Sequence, residues 1–366
     1  VADLSLALTG DILPTRRLLD PPASALAVYQ LLHDADLAVG NFEMPLTRGG
    51  APVEKLLNIR AAPEIAADVP GLGVDIVTIA NNHAVDYGWT GLDETQRVLA
   101  DVGLRVIGAG LDQAEAALPA VMDVAGRRVG VVAFSCLTPT GMAAGPDRPG
   151  ISPIRVETAY EVDPWYQMEE PGDPSAVRIR TTVRADDAAS ALAAVTALRG
   201  RCDVVVATIH WGFGSGEDLA EYQAPLGRAL IEAGADIVHG HHPHAVHGIG
   251  FHRGKPILFS LGTFIGQQVF LEASPKVKAL WAGMSPDGYV AEVLFADGGA
   301  IRLRVFPTTL DADRLPMLAT GDGFYRLADR LARLSGPLGA EVRTDPSGFL
   351  TITPTPQFEP NDRQGT

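Results

Sequence analysis

The sequence is short of the residues that mark secreted, membrane-spanning or nucleic-acid-binding chains. Two cysteines in 366 residues, Cys136 and Cys202, cannot build a disulfide framework. Neither belongs to a Cys-x-x-Cys pair or a Cys/His zinc cluster, so both are expected as core thiols. Basic residues are outnumbered, 29 against 44 acidic for a net charge of −15, which argues against a surface that neutralises phosphate backbones and against nucleic acid as a partner. No run of 18 uninterrupted apolar residues offers a membrane span. The start, VADLSLALTGDILPTRRLL, enters an apolar strand at once, with no basic leader or cleavage site, and a cytoplasmic location is expected. Internal repeats of solenoid period are missing as well.

What is present is an ordinary globular composition, 46% hydrophobic and 20% charged, with a recurring local pattern. Short Val/Ile/Leu runs at 4–8, 37–39, 76–79, 129–134, 204–209, 237–238 and 257–259 each end in Gly, Asn, Asp or His. Ala/Leu-rich stretches of helical character follow, at 23–34, 63–69, 89–102, 186–198 and 219–233. That alternation predicts an α/β protein. Residues 137–183 break it with Pro, Gly and the aromatics Tyr160, Trp165 and Tyr166, and are expected to form an inserted lid. YVAEVLF and IRLRVF flank Asp297-Gly298-Gly299 as a hairpin. One domain over 1–310, the metallo-domain of the resemblance given below, is therefore expected. Residues 311–366 should add a helix at 323–334 and an extended tail packed on the same domain, frayed after Thr353.

Six polar clusters sit where apolar runs end, the edge at which α/β sheets collect ligands. They are Asp11 in TGD, Asn41 and Glu43 in GNFE, the NNHAVDYG segment at 81–88, His210 in HWG, the HGHHPH segment at 239–244, and SLGTF at 260–264. Four of them supply carboxylate, amide and imidazole donors without a thiolate, a set suited to a divalent cation. Lone histidines such as His33, His247 and His252 are expected to be structural. HGHHPH is different, because four imidazoles in six residues are hard to bury without unpaired ring nitrogens. Pro243 stiffens the turn between His242 and His244, so that both rings can face one ion. Which of His241, His242 and His244 touches metal is left open by the residues alone. In NNHAVDYG, Asn82 offers a neutral oxygen and Asp86 lies one turn from His83, so the His83–Asp86 pair is expected to act as an oriented general acid/base. Helix capping by the same Asn and Asp residues is the structural alternative.

These motifs, in this order, resemble the CapA-type proteins, the poly-γ-glutamate capsule-synthesis relatives of the calcineurin-like metallophosphoesterases. The likeness runs from about residue 4 to residue 306. It implies an αββα sandwich of two mixed sheets flanked by helices, with the ion site at the sheet edges. Position by position, it implies Asp11 and His244 as ligands of one metal subsite, and Asn82, His210 and His242 as ligands of the other, with Glu43 bridging. His83 resembles the histidine that assists at the scissile bond, with Asp86 orienting it.

The departures from the family pattern carry as much information. Leu13 stands where a typical phosphoesterase of this superfamily places a histidine, and the Asn-x-Glu of GNFE replaces its next carboxylate. Two-metal phosphoester hydrolysis holds attacking and leaving oxygens between two ions, so one divalent cation is expected rather than two. Ca, Mn or Mg suits the oxygen-rich subsite better than Zn or Fe. The CapA-like group includes peptide epimerases that act on lasso-peptide precursors, and this resemblance together with the missing ligand implies a metal-dependent peptide epimerase, an isomerase. It would invert a Cα centre with His83 and Asp86 on one face and His244 or His242 beside Asp11 on the other. Trp211, Tyr160, Trp165 and Tyr166 would stack on a large substrate side chain. Arg60 and Lys55 would hold a substrate carboxylate. The competing readings are a hydrolase of phosphoester or γ-glutamyl bonds and a poly-γ-glutamate assembly component. The substrate is thus a peptide or a polyglutamate-like chain.

Overall fold

The computed structural model describes residues 3–297 and 299–356. Two large mixed sheets dominate it. The first runs, in spatial order, 340–344, 350–354, 301–310, 287–295, 4–13, 37–42, 76–78 and 105–107. The last four of these are mutually parallel, and Asp287–Phe295 lies antiparallel to Leu4–Leu13. The second sheet has six strands in the order 249–252, 255–258, 237–241, 204–210, 127–135 and 120–124, parallel in its middle and antiparallel at both edges.

Alternation along the strands explains the layers. Leu4, Leu6, Leu8, Leu37, Val39 and Ile76 of the first sheet share one core with Val129, Val131, Val204, Val206, Ile237 and Leu258 of the second. The intervening positions face outward and bury helices. Ala7, Ala38 and Val77 pack with Ala25, Val28 and Leu32 of the Ala23–His33 helix and with Leu92 and Leu99 of the Gly88–Asp101 helix. On the far side, Val132, Val205 and Val238 pack with Ala191, Val195, Leu226 and Leu230 from the Ala185–Arg199 and Gln223–Glu232 helices. The result is the α/β protein that the alternation predicts, in the four-layer αββα form that the resemblance implies, because strands apolar on both faces need cover on both.

The strand pattern was legible to within a few residues, and the 63–69 helix is a 3-10 segment, Pro63–Leu72. The 137–183 segment contributes a two-stranded antiparallel arm, Val156–Val162 with Val177–Val183, joined through a short helix at Pro164–Glu169. Asp287–Phe295 and Ile301–Leu310 form the expected hairpin, while its Gly298 lies outside the described residues, as does most of the tail beyond Thr353. The Gly321–Ser335 helix buries Leu327 and Leu331 in the inter-sheet core, and Ala340–Thr344 and Leu350–Pro354 extend the first sheet. Cys136 and Cys202 are buried and unpaired. Among the described residues no helix is long and apolar enough to cross a membrane.

Candidate metal centre

Strand register assembles the centre. Asp11 lies beside Asn41 on one side and Thr263 on the other, at the ends of parallel strands of the first sheet. His210 lies beside His241 at the matching ends in the second sheet. The approach at Asp11 is so close that a Cβ on Gly10 would stand 1.9 Å from the Gly262 carbonyl oxygen. Only glycine fits there, which explains the Gly-Asp pair. The HGHHPH turn carries strain, with φ of 107° at His242 and 49° at His244. Such left-handed backbone at non-glycine residues is costly and tends to collect at functional sites.

Two groups of donors result, Asp11 with His210 and His241, and Glu43 with His242 and His244. Within each group the donor atoms lie within 4.8 Å of one another. The groups interlock. Glu43 Oε1 is 3.3 Å from His210 Nε2, 3.7 Å from His244 Nε2 and 3.9 Å from His242 Nδ1. Asn82 Oδ1 is 2.8 Å from His210 Nε2, and His244 Nδ1 is 3.1 Å from Asp11 Oδ2. Asn41 Nδ2 donates to Asp11 Oδ1 at 2.8 Å and to Glu43 Oε2 at 3.3 Å, which orients both carboxylates.

A cation fits this set. Asp11 Oδ2, Glu43 Oε1 and His242 Nδ1 are buried without a hydrogen-bond partner, and an unsatisfied buried carboxylate oxygen is expensive. Ligands bonded at roughly 2.0–2.2 Å to one ion stand about 3 Å apart, and several of the separations above approach that. Protonation points the same way. Burial pushes the His210, His241 and His242 imidazoles well below their ordinary value, and the neighbouring imidazoles add to it. Neutral imidazoles are the form that binds metal. Burial, then the Asp11 charge, raises the Glu43 carboxyl, whereas His244 holds Asp11 below the usual carboxylate range against the upward push of burial.

His83 stands beside this centre on the same segment as Asn82. Its Nδ1 lies 2.7 Å from Asp86 Oδ2, and that oxygen also accepts from the Ile59 amide at 2.8 Å. Burial lowers the His83 pKa and the Asp86 charge only partly offsets it, which favours the neutral imidazole. Asn81 positions the turn, accepting from the His83 amide and donating to the Phe42 carbonyl.

The site residues expected from sequence divide accordingly. Asp11, Glu43, Asn82, His83, Asp86, His210, His242 and His244 come together. His241 was left open in the sequence and joins Asp11 and His210, its Nδ1 2.8 Å from His210 Nδ1. Only the register of neighbouring strand ends, which the sequence does not display, brings it there. His239, two residues earlier, instead contacts the Thr9 carbonyl at 2.9 Å. Trp211 is a correction. It is fully buried, stacked on Phe259 and bonded through its indole N–H to the Phe259 carbonyl, so it is a core side chain. Lys55 is turned inward, toward Asp86 and the Asn82 carbonyl, where its ammonium is already paired. Arg60 lies over the Tyr87 ring with 4.2 Å from guanidinium carbon to centroid. Tyr160, Trp165 and Tyr166 are 68%, 73% and 41% exposed on the arm, and therefore do not pin it to the body. Of the lone histidines, His33, His247 and His252 meet Gly71, Gly216 and Glu232 respectively.

A two-sheet sandwich with interlocked carboxylate and imidazole groups at the sheet edges defines a protein with a metal-centre-like site. The chain belongs to the family described as bacterial capsule synthesis protein PGA_cap, which it matches over residues 5–268. It is 29% identical over 339 residues, 91% of this chain and 81% of the relative, to a protein of Mycobacterium tuberculosis named "Probable polyglutamine synthesis accessory protein". Two capsule relatives share 72% of this chain. The PGA biosynthesis protein CapA of Bacillus subtilis is 27% identical with 64% of its length covered, and the capsule biosynthesis protein CapA of Bacillus anthracis is 25% identical with 60% covered.

Proposed function

We propose that this protein is a metal-dependent hydrolase acting on γ-glutamyl amide bonds of a polyglutamate-like chain. The observation that carries the proposal is the pair of interlocked donor groups with Asp11 Oδ2, Glu43 Oε1 and His242 Nδ1 left unsatisfied. Two donor groups, where one cation was expected, support two cations rather than one. His241 supplies an imidazole on the side where Leu13 lacks one. The names of the relatives support the substrate class.

Bound divalent cations would polarise the scissile carbonyl and lower the pKa of water. The chain's own groups supply the rest. His83, with Nδ1–H given to Asp86, presents Nε2 to take a proton from the attacking water and pass it to the departing nitrogen. Water adds across the amide, the acyl carbon gaining hydroxyl and the nitrogen gaining hydrogen. Cα inversion, the reaction expected from sequence, needs a free second base. Both imidazoles available for that role, His242 and His244, approach Glu43 within 3.9 Å as members of a donor group. The geometry therefore favours hydrolysis.

The test is elemental analysis of the purified protein followed by incubation with poly-γ-glutamate. Two divalent ions per chain and release of new amino termini, abolished by chelator and by His83→Ala, are expected. Deuterium incorporation at Cα without new termini would replace this reading with epimerisation. Metal binding with neither outcome would leave an assembly component.

A further inference from the structure

A cavity of about 590 Å³ opens beside the centre, with Asn82 on one wall and Arg155, Glu157 and Arg184 at the root of the arm on another. The arm's strands close on the pair Val156 and Val183, so Arg155 and Arg184 occupy the next rung, joined by the Arg184 amide to the Arg155 carbonyl at 2.8 Å. Like charges on opposing positions of two strands cost stability. Asp187 and Glu157 answer these charges, and the weaker of the two pairings leaves room for another anion.

The two arginines are not equally committed. Arg155 is locked by Asp187, with Nε and Nη2 each 2.7 Å from a carboxylate oxygen. Arg184 pairs with Glu157 at 3.9 Å, between side chains that are 41% and 68% exposed, a pairing worth little in water, and its charge is also felt by Asp187, whose two oxygens are already taken by Arg155. The Arg184 guanidinium can leave the Glu157 contact at small cost and take a carboxylate in the two-bond geometry arginine favours.

We propose that Arg184 is a specificity residue, binding a free carboxylate of the substrate in the cavity next to Asn82 while Arg155, clamped by Asp187, fixes the wall. The substrate class this selects is an oligomer bearing a carboxylate on each unit. The inference rests on the hydrolase reading for the position of the scissile bond, and not for the binding event itself.

The test therefore measures binding first, by calorimetry on chelator-treated protein with a γ-linked glutamate oligomer, with the same oligomer carrying amides in place of carboxylates, and with inorganic phosphate. Arg184→Ala and Arg184→Gln should weaken oligomer binding more than tenfold and leave the amide oligomer unchanged. The Arg184 side chain is half-buried and makes no cap bond, so both variants should fold, which circular dichroism checks. Wild-type protein that does not distinguish the two oligomers, or variants that bind like wild type, would overturn the proposal. So would phosphate binding tenfold tighter than the oligomer and lost equally in the variants, which would make this a phosphate site. Hydrolysis is read separately. Carboxylate-selective binding without turnover would sink the hydrolase reading and keep Arg184, whereas turnover insensitive to Arg184 would do the reverse.

Discussion

The Lys55 ammonium lies 2.5 Å from Asp86 Oδ1, at the far end of the carboxylate whose other oxygen holds His83. Lys55 also donates to the Asn82 carbonyl at 2.6 Å. One cation thus ties together the residue that orients the base and the turn that presents the Asn82 side chain. That geometry predicts a positioning role for Lys55.

Removing that cation leaves Asp86, fully buried, with His83 and one amide as partners. Breaking a buried ion pair from one side costs roughly 3–5 kcal/mol. Lys55→Met is expected to lose stability in that range by urea unfolding and to lower kcat more than it raises KM. A rise in KM alone would return Lys55 to substrate binding.

Trp211 predicts the opposite split. Its indole sits in the outer core of the second sheet, against Phe259 with ring centroids 5.5 Å apart. Trp211→Ala should cost about 3–5 kcal/mol in unfolding free energy, while substrate KM in the remaining folded protein stays within about twofold. A selective increase in KM at unchanged stability would show that the side chain reaches substrate after all.

The contrast between these residues shows what the sequence carried. Apolar runs ending in polar residues located the strand ends, and with them Asp11, Glu43, His210 and the HGHHPH turn, because side chains there follow from strand direction alone. What pairs with what depends on register between distant strands, which one sequence does not display. His241 became a partner of His210 only through adjacent parallel strands. Trp211, next to His210, points the other way for the same reason, since successive strand residues alternate faces. Lys55 and Arg184 were beyond reach for another reason. Each lies in or beside an irregular segment whose path is set by contacts, Lys55 by Asp86 and Arg184 by the closing rung of the arm.

Acid should loosen the root of that arm. Asp187 is pushed up by burial, but its bonds to the Arg155 guanidinium and amide outweigh this and hold it below the usual carboxylate value. A carboxyl depressed on folding stabilises the native state above its unfolded pKa, about 3.9, and loses that contribution as pH falls through the lower folded value. Asp187→Asn should therefore be destabilised relative to wild type at about pH 6, and the gap should shrink steadily below about pH 4. The measurement is unfolding free energy against pH for both proteins. A gap constant across the range would mean that Asp187 acts through packing and not through charge.

The last relationship concerns the segment beyond the family match. Glu217, in the loop that follows the His210 strand, receives Arg333 Nη2 at 2.7 and 2.9 Å, and Arg330 Nε lies 2.8 Å away, both arginines coming from the Gly321–Ser335 helix. One residue earlier, the Gly216 carbonyl meets His247 Nε2 at 3.0 Å. The same loop passes so close to His242 that a Cβ on Gly214 would stand 3.4 Å from its Nε2. The C-terminal helix thereby holds the loop against one of the donor imidazoles. These ion pairs are partly exposed, so Glu217→Gln should change global stability by only about 1 kcal/mol or less, while local opening of the loop becomes more frequent. Hydrogen exchange at residues 212–218 is expected to accelerate severalfold, with weaker divalent-ion binding in parallel. Exchange that stays at the wild-type rate would show that His247 and the glycine-rich backbone hold the loop without the helix.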